Sequence, residues 1–288
     1  MPQFSDTELD RILRDDCPYA DPTTEGLGIA GVAAKATLTA RDDMVVCAVE
    51  DAARMFELGG ARARPRVVTG QKVRAGALLL EVEGPAGAIH RSYKMAQTLM
   101  ELLSGIATAA RTMVEAAQAA NPRTRVACTR KHMPGMKHHA LRAIEAGGAV
   151  PHRLGLSDYL LVFEEHRTLL DPALPLADHL ARLKAHAPER RLAVEAAGIA
   201  EAIAFAQAGA EIVQVDKASP EDIAAIAQAL DGIAPRPLLA AAGGVNPSNA
   251  AAYAAAGADI LVTSAPYYAP PRDVKVRIFP APATEARH

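Results

Sequence analysis

An α/β protein whose C-terminal half is a parallel barrel is the fold this sequence predicts, on three observations. From Thr124 to Thr263, short β-rich runs alternate with Ala-rich helical runs. Six β/α units in roughly 140 residues require a parallel sheet, and their even spacing points to a barrel rather than an open two-sided sheet. There is also an internal echo. Ala208-Gly209-Ala210-Glu211-Ile212 and Ala256-Gly257-Ala258-Asp259-Ile260 are near-copies, each ending a helix with glycine before a strand. Finally, each strand is followed by polar or glycine residues: Arg130-Lys131, Glu164-Glu165-His166, Glu195, Asp216, Gly243-Gly244 and Ser264. Such residues converge on the carboxyl rim of a barrel, where barrel enzymes place their chemistry.

The first 109 residues lack this rhythm. Helical stretches near Ser5–Asp15 and Ala48–Leu58 flank strand-like Gly31–Ala40 and Arg66–Val68. A turn at Gly70 opens an alternating strand that ends near Val82. A long helix from Tyr93 to Ala120, broken at Ser104-Gly105, joins the two regions. The barrel strands are Arg125–Cys128, Tyr159–Phe163, Leu192–Glu195, Glu211–Val215, Pro237–Ala241 and Asp259–Thr263. Helices Lys137–Ala146, Leu176–Ala187, Ile199–Gln207, Pro220–Leu230 and Pro247–Ala256 lie between them. After the break at Pro270-Pro271, Val274–Phe279 alternates like a strand that returns to the first domain's sheet.

With 288 residues, half of them hydrophobic, the chain can form one large or two medium domains with a sizeable core. A net charge of −2 gives no global attraction to nucleic acid or an anionic membrane, so any anion site must be local. Three scattered cysteines, Cys17, Cys47 and Cys128, disfavour a disulfide framework and a structural zinc site and fit a reducing cytoplasm. The N-terminus carries no basic-then-apolar signal, and no apolar run approaches a membrane span.

The local anion site has a candidate. Arg130-Lys131 and His152-Arg153 are basic pairs beside turn-forming or glycine-rich segments, with Pro134-Gly135 and Gly147-Gly148 close by. Either pair alone is an ordinary solvated turn; together they suit a ligand with several anionic groups. Gly243-Gly244 and Ser264, after the last two strands, match the usual phosphate position of barrels. The histidines His132, His138, His139, His152 and His166 do not make a metal site. His138 and His139 are neighbours on a helix, about 100° apart, and not an i, i+4 pair. Tyr267-Tyr268 suits either stacking on a substrate ring or closing the barrel core.

Read in order, Asp21-Pro22-Thr23-Thr24, Ser104-Gly105-Ile106-Ala107-Thr108, Thr129-Arg130-Lys131 and His152-Arg153-Leu154-Gly155-Leu156-Ser157-Asp158 resemble the quinolinate phosphoribosyltransferase family, the carboxylating nicotinate-nucleotide pyrophosphorylases. Glu195, Asp216 and Gly243-Gly244 continue the match almost to the end of the chain. The resemblance implies an N-terminal α/β sandwich domain plus a C-terminal incomplete parallel α/β barrel. The sandwich would span residues 1–109, completed by the tail 272–288, and the barrel 110–271. It implies transfer of the 5-phosphoribosyl group of phosphoribosyl pyrophosphate to a nitrogen heterocycle, releasing pyrophosphate, with Mg²⁺ and in a homodimer or higher homo-oligomer. By resemblance Arg130, Lys131 and Lys137 face the pyrophosphate, with Lys131, Glu195 and Asp216 as the catalytic set. Glu195 and Asp216 bind ribose hydroxyls directly or through Mg²⁺. Gly243, Gly244, Ser264 and Ala265 hold the 5-phosphate, and His152 with Arg153 faces the heteroaromatic acceptor. Neither nucleic acid nor membrane is a partner.

The ending Thr263-Ser264-Ala265-Pro266-Tyr267-Tyr268-Ala269-Pro270 narrows the resemblance to the ModD branch, associated with molybdate transport. Three departures from the wider family matter. Glu101-Leu102 stands where the family has Gln-Arg, Phe163-Glu164-Glu165-His166 where it has Lys-Asp-Asn-His, and Ala240-Ala241-Ala242-Gly243-Gly244 where it has Glu-Ala-Ser-Gly-Gly. Two cations that would pair with quinolinate's carboxylates are thereby replaced by apolar groups, and an unpaired buried carboxylate costs several kcal/mol. The acceptor expected is a ring less anionic than quinolinate; its identity and the decarboxylation step stay open. Two alternatives stand beside this: a true quinolinate enzyme with rewired contacts, and a non-catalytic ligand-binding protein linked to molybdate transport.

Overall fold

A computed structural model describes residues 4–281. Residues 1–3 and 282–288, the extremities of the sandwich range expected above, lie outside the described residues. In chain order the elements begin with α1 (Asp6–Asp16), α2 (Pro22–Gly26), β1 (Ala33–Ala40), β2 (Met44–Val45), α3 (Val49–Leu58), β3 (Arg62–Pro65), β4 (Lys72–Val73) and β5 (Leu78–Pro85). They continue with α4 (Ala86–Ala120), β6 (Arg125–Cys128), α5 (Lys137–Ala146), β7 (Val150–Pro151), β8 (Leu160–Val162), α6 (Glu164–Arg167) and α7 (Leu176–His186). The remainder are β9 (Leu192–Ala196), α8 (Ile199–Gln207), β10 (Ile212–Asp216), α9 (Pro220–Leu230), β11 (Leu238–Ala242), α10 (Ala250–Ala255), β12 (Ile260–Thr263), a 3₁₀ turn (Ala265–Tyr268) and β13 (Val274–Pro280). The chain divides into two compact units.

The first unit takes the described residues up to Thr108, then Gly135–Gly148, then those from Ala269 on. Its antiparallel sheet has the order β13-β1-β5-β3. Alternation along β1 sends Ala34, Ala36, Leu38 and Ala40 into a core shared with Met55 and Phe56 of α3 and Ile89, Met100 and Leu103 of α4. The tail strand β13 lies along β1 from Ala34 to Ala40. The strand expected at Arg66–Val68 sits earlier, at Arg62–Pro65, where Arg62 and Arg64 fall opposite Glu83 and Glu81 of β5. The helix α1 starts at a capping box between Ser5 and Glu8.

Two expectations about helices need correction here. The long helix begins at Ala86, and it is not interrupted at Ser104-Gly105. Gly105 serves close approach: a Cβ there would collide with the Pro270 carbonyl oxygen. The helix α5, which lies in sequence between two barrel strands, belongs to the first unit. It is held there by Arg142, which pairs with Asp51 and Glu50 of α3, and by His139, which stacks on Phe4 at 4.2 Å.

The second unit carries a seven-stranded parallel sheet in the order β7-β6-β12-β11-β10-β9-β8. The strand β7, which pairs with β6, is one more than the sequence predicts; two residues, one of them proline, carry no readable periodicity. The strands β7 and β8, consecutive in the chain, form the two edges of the sheet and do not pair with each other, so the barrel is incomplete. Leu161, Ala193, Ile212, Ala240, Ala242 and Val262 pack together as an apolar cluster on these strands. Among the described residues, no helix is long and apolar enough to cross a membrane.

Candidate active site

A cavity of about 630 Å³ opens at the carboxyl ends of the parallel strands. All seven strands or the turns after them supply its wall: Thr129, Arg130 and Lys131 after β6, His152 and Arg153 after β7, Leu161 and Phe163 at β8, Glu195 on β9, and Gln214 and Asp216 on β10. Gly243, Gly244 and Asn246 follow β11, and Ser264 and Ala265 follow β12. A wall shared by both edges and the centre of the sheet requires the sheet to curl. Of the expected site residues, Lys137 alone does not line the cavity; it opens α5, in the other unit.

Charge is divided across the cavity. Arg130, Lys131 and Arg153 stand on the β6–β7 side, Glu195 and Asp216 on the β9–β10 side. Burial lowers the proton affinity of Arg153, and the nearby positive charge of Arg130 lowers it further. Crowded guanidinium groups suit an anion, which relieves both costs, although the nearby negative charge of Asp158 already offsets part of them at Arg153. On the acidic side, burial first and then the negative charges of Asp216 and Glu165 raise the Glu195 carboxyl above its ordinary value. Two mutually repelling carboxylates facing one space fit a hard divalent cation such as Mg²⁺. Among the described residues no group of three or more His, Cys, Asp or Glu could hold a metal, so such a cation would share its coordination with ligand oxygens.

The glycine turn after β11 is shaped for close approach. Gly243 and Gly244 have φ of 77° and 81°, in the left-handed region. A Cβ on Gly243 would also strike the Asp216 carboxylate and the Lys217 amide. Lys217 itself takes φ of 57°, held by its amide donating to the Ala242 carbonyl at 2.8 Å. Non-glycine residues in this region concentrate at functional sites. Nearby, the Ala265 amide donates to the Thr263 hydroxyl at 3.0 Å, and that hydroxyl donates to the Val245 carbonyl at 2.6 Å.

His152 and Tyr159 bridge the open seam. Tyr159 precedes β8, His152 follows β7, and the Tyr159 hydroxyl meets His152 Nε2 at 2.6 Å. Burial first, then the positive charge of Arg153, lowers the His152 pKa to about 4. At neutral pH His152 is therefore uncharged, and Arg153 carries the only positive charge of this basic pair. Its guanidinium lies 5.7 Å from the centre of the Phe163 ring, which itself stacks with His166. Tyr267 and Tyr268 donate instead to the Thr129 and Lys131 carbonyls, both at 3.1 Å, and so brace the basic loop; neither lines the cavity.

Sequence reasoning passed over Gln214, Tyr159, Thr129, Asn246 and Thr263. A signal existed for Gln214, a polar residue inside the apolar run Ile212-Val213-Gln214-Val215. Tyr159 gave no signal, because its role depends on two sheet edges meeting.

A half-open parallel barrel with a charge-divided cavity defines a class, and comparison with known proteins agrees. Models of the quinolinate phosphoribosyl transferase C-terminal and N-terminal domains match residues 106–277 and 21–104. The chain belongs to the quinolinate phosphoribosyl transferase family, enzymes of the pentosyltransferase class. Within it, the chain is 45% identical over 250 residues to ModD of Rhodobacter capsulatus, whose name places it among the pyrophosphorylases; the match covers 86% of this chain and 95% of that protein. ModD of Pasteurella multocida (strain Pm70) is 36% identical over 278 residues, 96% of this chain and 99% of the other. The nicotinate-nucleotide pyrophosphorylase from Francisella tularensis shares the fold, with a TM-score of 0.86 at 23% identity over 95% of each chain.

Proposed function

We propose that the protein is a ModD-type phosphoribosyltransferase that joins the 5-phosphoribosyl group of phosphoribosyl pyrophosphate to the ring nitrogen of a heteroaromatic acceptor. The observation that carries this reading is the division of charge in the cavity, cationic at β6–β7 and acidic at β9–β10, with a glycine turn beside the acids. In the reaction, the nitrogen lone pair forms the bond to the ribose carbon as the carbon–oxygen bond to pyrophosphate breaks. The electron pair leaves with pyrophosphate. Arg130 and Lys131 stabilise that leaving anion. Glu195 and Asp216 hold the ribose hydroxyls and favour the positive charge that develops on the ribose. The backbone of Gly243-Gly244, with Ser264 and Ala265, holds the 5-phosphate; Ala265 must release Thr263 to donate its amide. Glu195 and Asp216, with ligand oxygens, would hold Mg²⁺, which would neutralise charge on the phosphates.

The acceptor suited to this cavity is a planar ring with one acidic group. Phe163 offers the ring an apolar face, and Arg153 is the cation against it, His152 being neutral and Arg130 and Lys131 being assigned to the pyrophosphate. Purified protein given phosphoribosyl pyrophosphate and Mg²⁺ with quinolinate, nicotinate or an uncharged ring, and assayed for pyrophosphate release, tests the reading. Turnover of the one-acid ring is expected; turnover of none, with no donor binding, overturns it. We also propose assembly at least as a dimer, supported by exposed apolar side chains in the first unit, among them Tyr19, Leu27 and Leu102. Sedimentation as a monomer at micromolar concentration would refute this part.

A further inference from the structure

In the strand β10, Gln214 is only 4% exposed. Burying an amide costs free energy unless its polar atoms find partners. One partner is Glu195, its ladder neighbour on β9, whose Oε2 accepts from Gln214 Nε2 at 2.6 Å. An ionised carboxylate only accepts hydrogen bonds, so this contact fixes which end of the amide faces Glu195. The carbonyl end is buried and has no close hydrogen bond, while the amide lies against His152 and raises its proton affinity. His152 is in turn tied to Tyr159 across the open seam. A row of Tyr159, His152, Gln214 and Glu195 thus runs from the free sheet edges to the acidic wall of the cavity. Apolar neighbours would pack β10 equally well, so the polar atom needs a reason beyond filling space.

We propose that Gln214 is a positioning residue that orients Glu195 for the ribose end of the phosphoribosyl ligand. The ligand's identity rests on the function proposed above; the coupling between the two side chains does not. Asp216 of β10 and Glu165 of α6 act on Glu195 from one direction, as like charges, and Arg167 of α6 acts from the other. The Gln214 hydrogen bond belongs with Arg167 in favouring the charged carboxylate. Removing it leaves burial and repulsion in place.

The experiment is a pair of measurements on the whole protein. The carboxyl chemical shift of Glu195, from carboxyl-labelled glutamate assigned through Glu195→Gln, is read by NMR at one fixed pH in the wild type and in Gln214→Met. Binding of phosphoribosyl pyrophosphate with Mg²⁺ is then measured by calorimetry in the wild type, each single variant and the double variant. In Gln214→Met the Glu195 carboxyl signal should move as its amide contact is lost, and donor affinity should fall about tenfold, the scale of one hydrogen bond to a charged group. In the Glu195→Gln background the same substitution should change donor affinity little, because Gln214 acts through Glu195. An unmoved Glu195 carboxyl signal, or an equal loss with and without Glu195, overturns the proposal. If Gln214→Met does not fold, Gln214→Asn, whose amide falls short of Glu195, takes its place with the same expected results. A wild type that binds no donor overturns the function proposed above, and the Glu195 carboxyl signal still decides the coupling.

Discussion

Phe163 supplies an apolar face to the acceptor and Arg153 the cation against it, while Arg130 and Lys131 are assigned to the pyrophosphate. A two-acid ring therefore leaves one carboxylate without a cation. A missing charge-assisted contact costs about 1.5–3 kcal/mol, so quinolinate should be used about ten- to a hundredfold less efficiently than a one-acid ring. Phe163→Lys should narrow that gap, and steady-state kinetics on both rings checks it; equal efficiency in the wild type would mean other groups bind the second acid. On the acidic wall, Glu195→Ala and Asp216→Ala should abolish most of the thermal stabilisation given by phosphoribosyl pyrophosphate with Mg²⁺ while leaving the ligand-free melting temperature nearly unchanged. His152 yields a pH prediction. Its folded pKa of about 4 lies below the ordinary value of 6.5, so its contribution to stability is present above the unfolded value and lost as pH falls towards 4. The loss is on the order of 2–3 kcal/mol, and urea unfolding at pH 7 and pH 4.5 should show a smaller difference in His152→Gln than in the wild type.

At the scale of elements, α5 shows how a helix can leave the unit its sequence position suggests. Its tie to α3 is the buried pair of Arg142 with Asp51, joined by Glu50, and the Phe4 ring lies 5.2 Å from the guanidinium. Asp51→Ala strands a buried cation and should destabilise the protein by about 3–5 kcal/mol, whereas Asp51→Leu with Arg142→Met should cost clearly less. Denaturant unfolding of the three variants decides; equal losses would show that packing, not charge, holds the helix. In α4, a Gly105→Ala exchange in an ordinary helix interior would stabilise by about 1 kcal/mol. Here the added Cβ meets the Pro270 backbone, which has little freedom to yield. Overpacking typically costs about 1–3 kcal/mol, so the net change should be a lower melting temperature. Most elements were legible in the sequence, since β1, α3, the central barrel strands and their helices each repeat an apolar period over several residues. What escaped was short or held by partners elsewhere: β7 has two residues, and the continuity of α4 through Ser104-Gly105 depends on what packs against it.

At the scale of the whole molecule, seven parallel strands bring scattered residues to one rim, and the two strands that fail to pair leave a seam that side chains cross. Tyr159→Phe removes one of those bonds and leaves His152 a buried nitrogen without its partner. It should lower stability by about 1–3 kcal/mol, and thermal unfolding checks it. The sequence by itself determined the α/β class and the barrel rhythm, because the period of apolar residues and the polar residue after each strand are local properties, and ten of its eleven expected site residues line one cavity. Tertiary structure alone decided that Lys137 goes with the other unit, that His152 is neutral and that Gln214 reaches Glu195. Each of those outcomes depends on burial and on neighbours distant in sequence, and a linear pattern encodes neither the dielectric around a side chain nor the partner across a ladder.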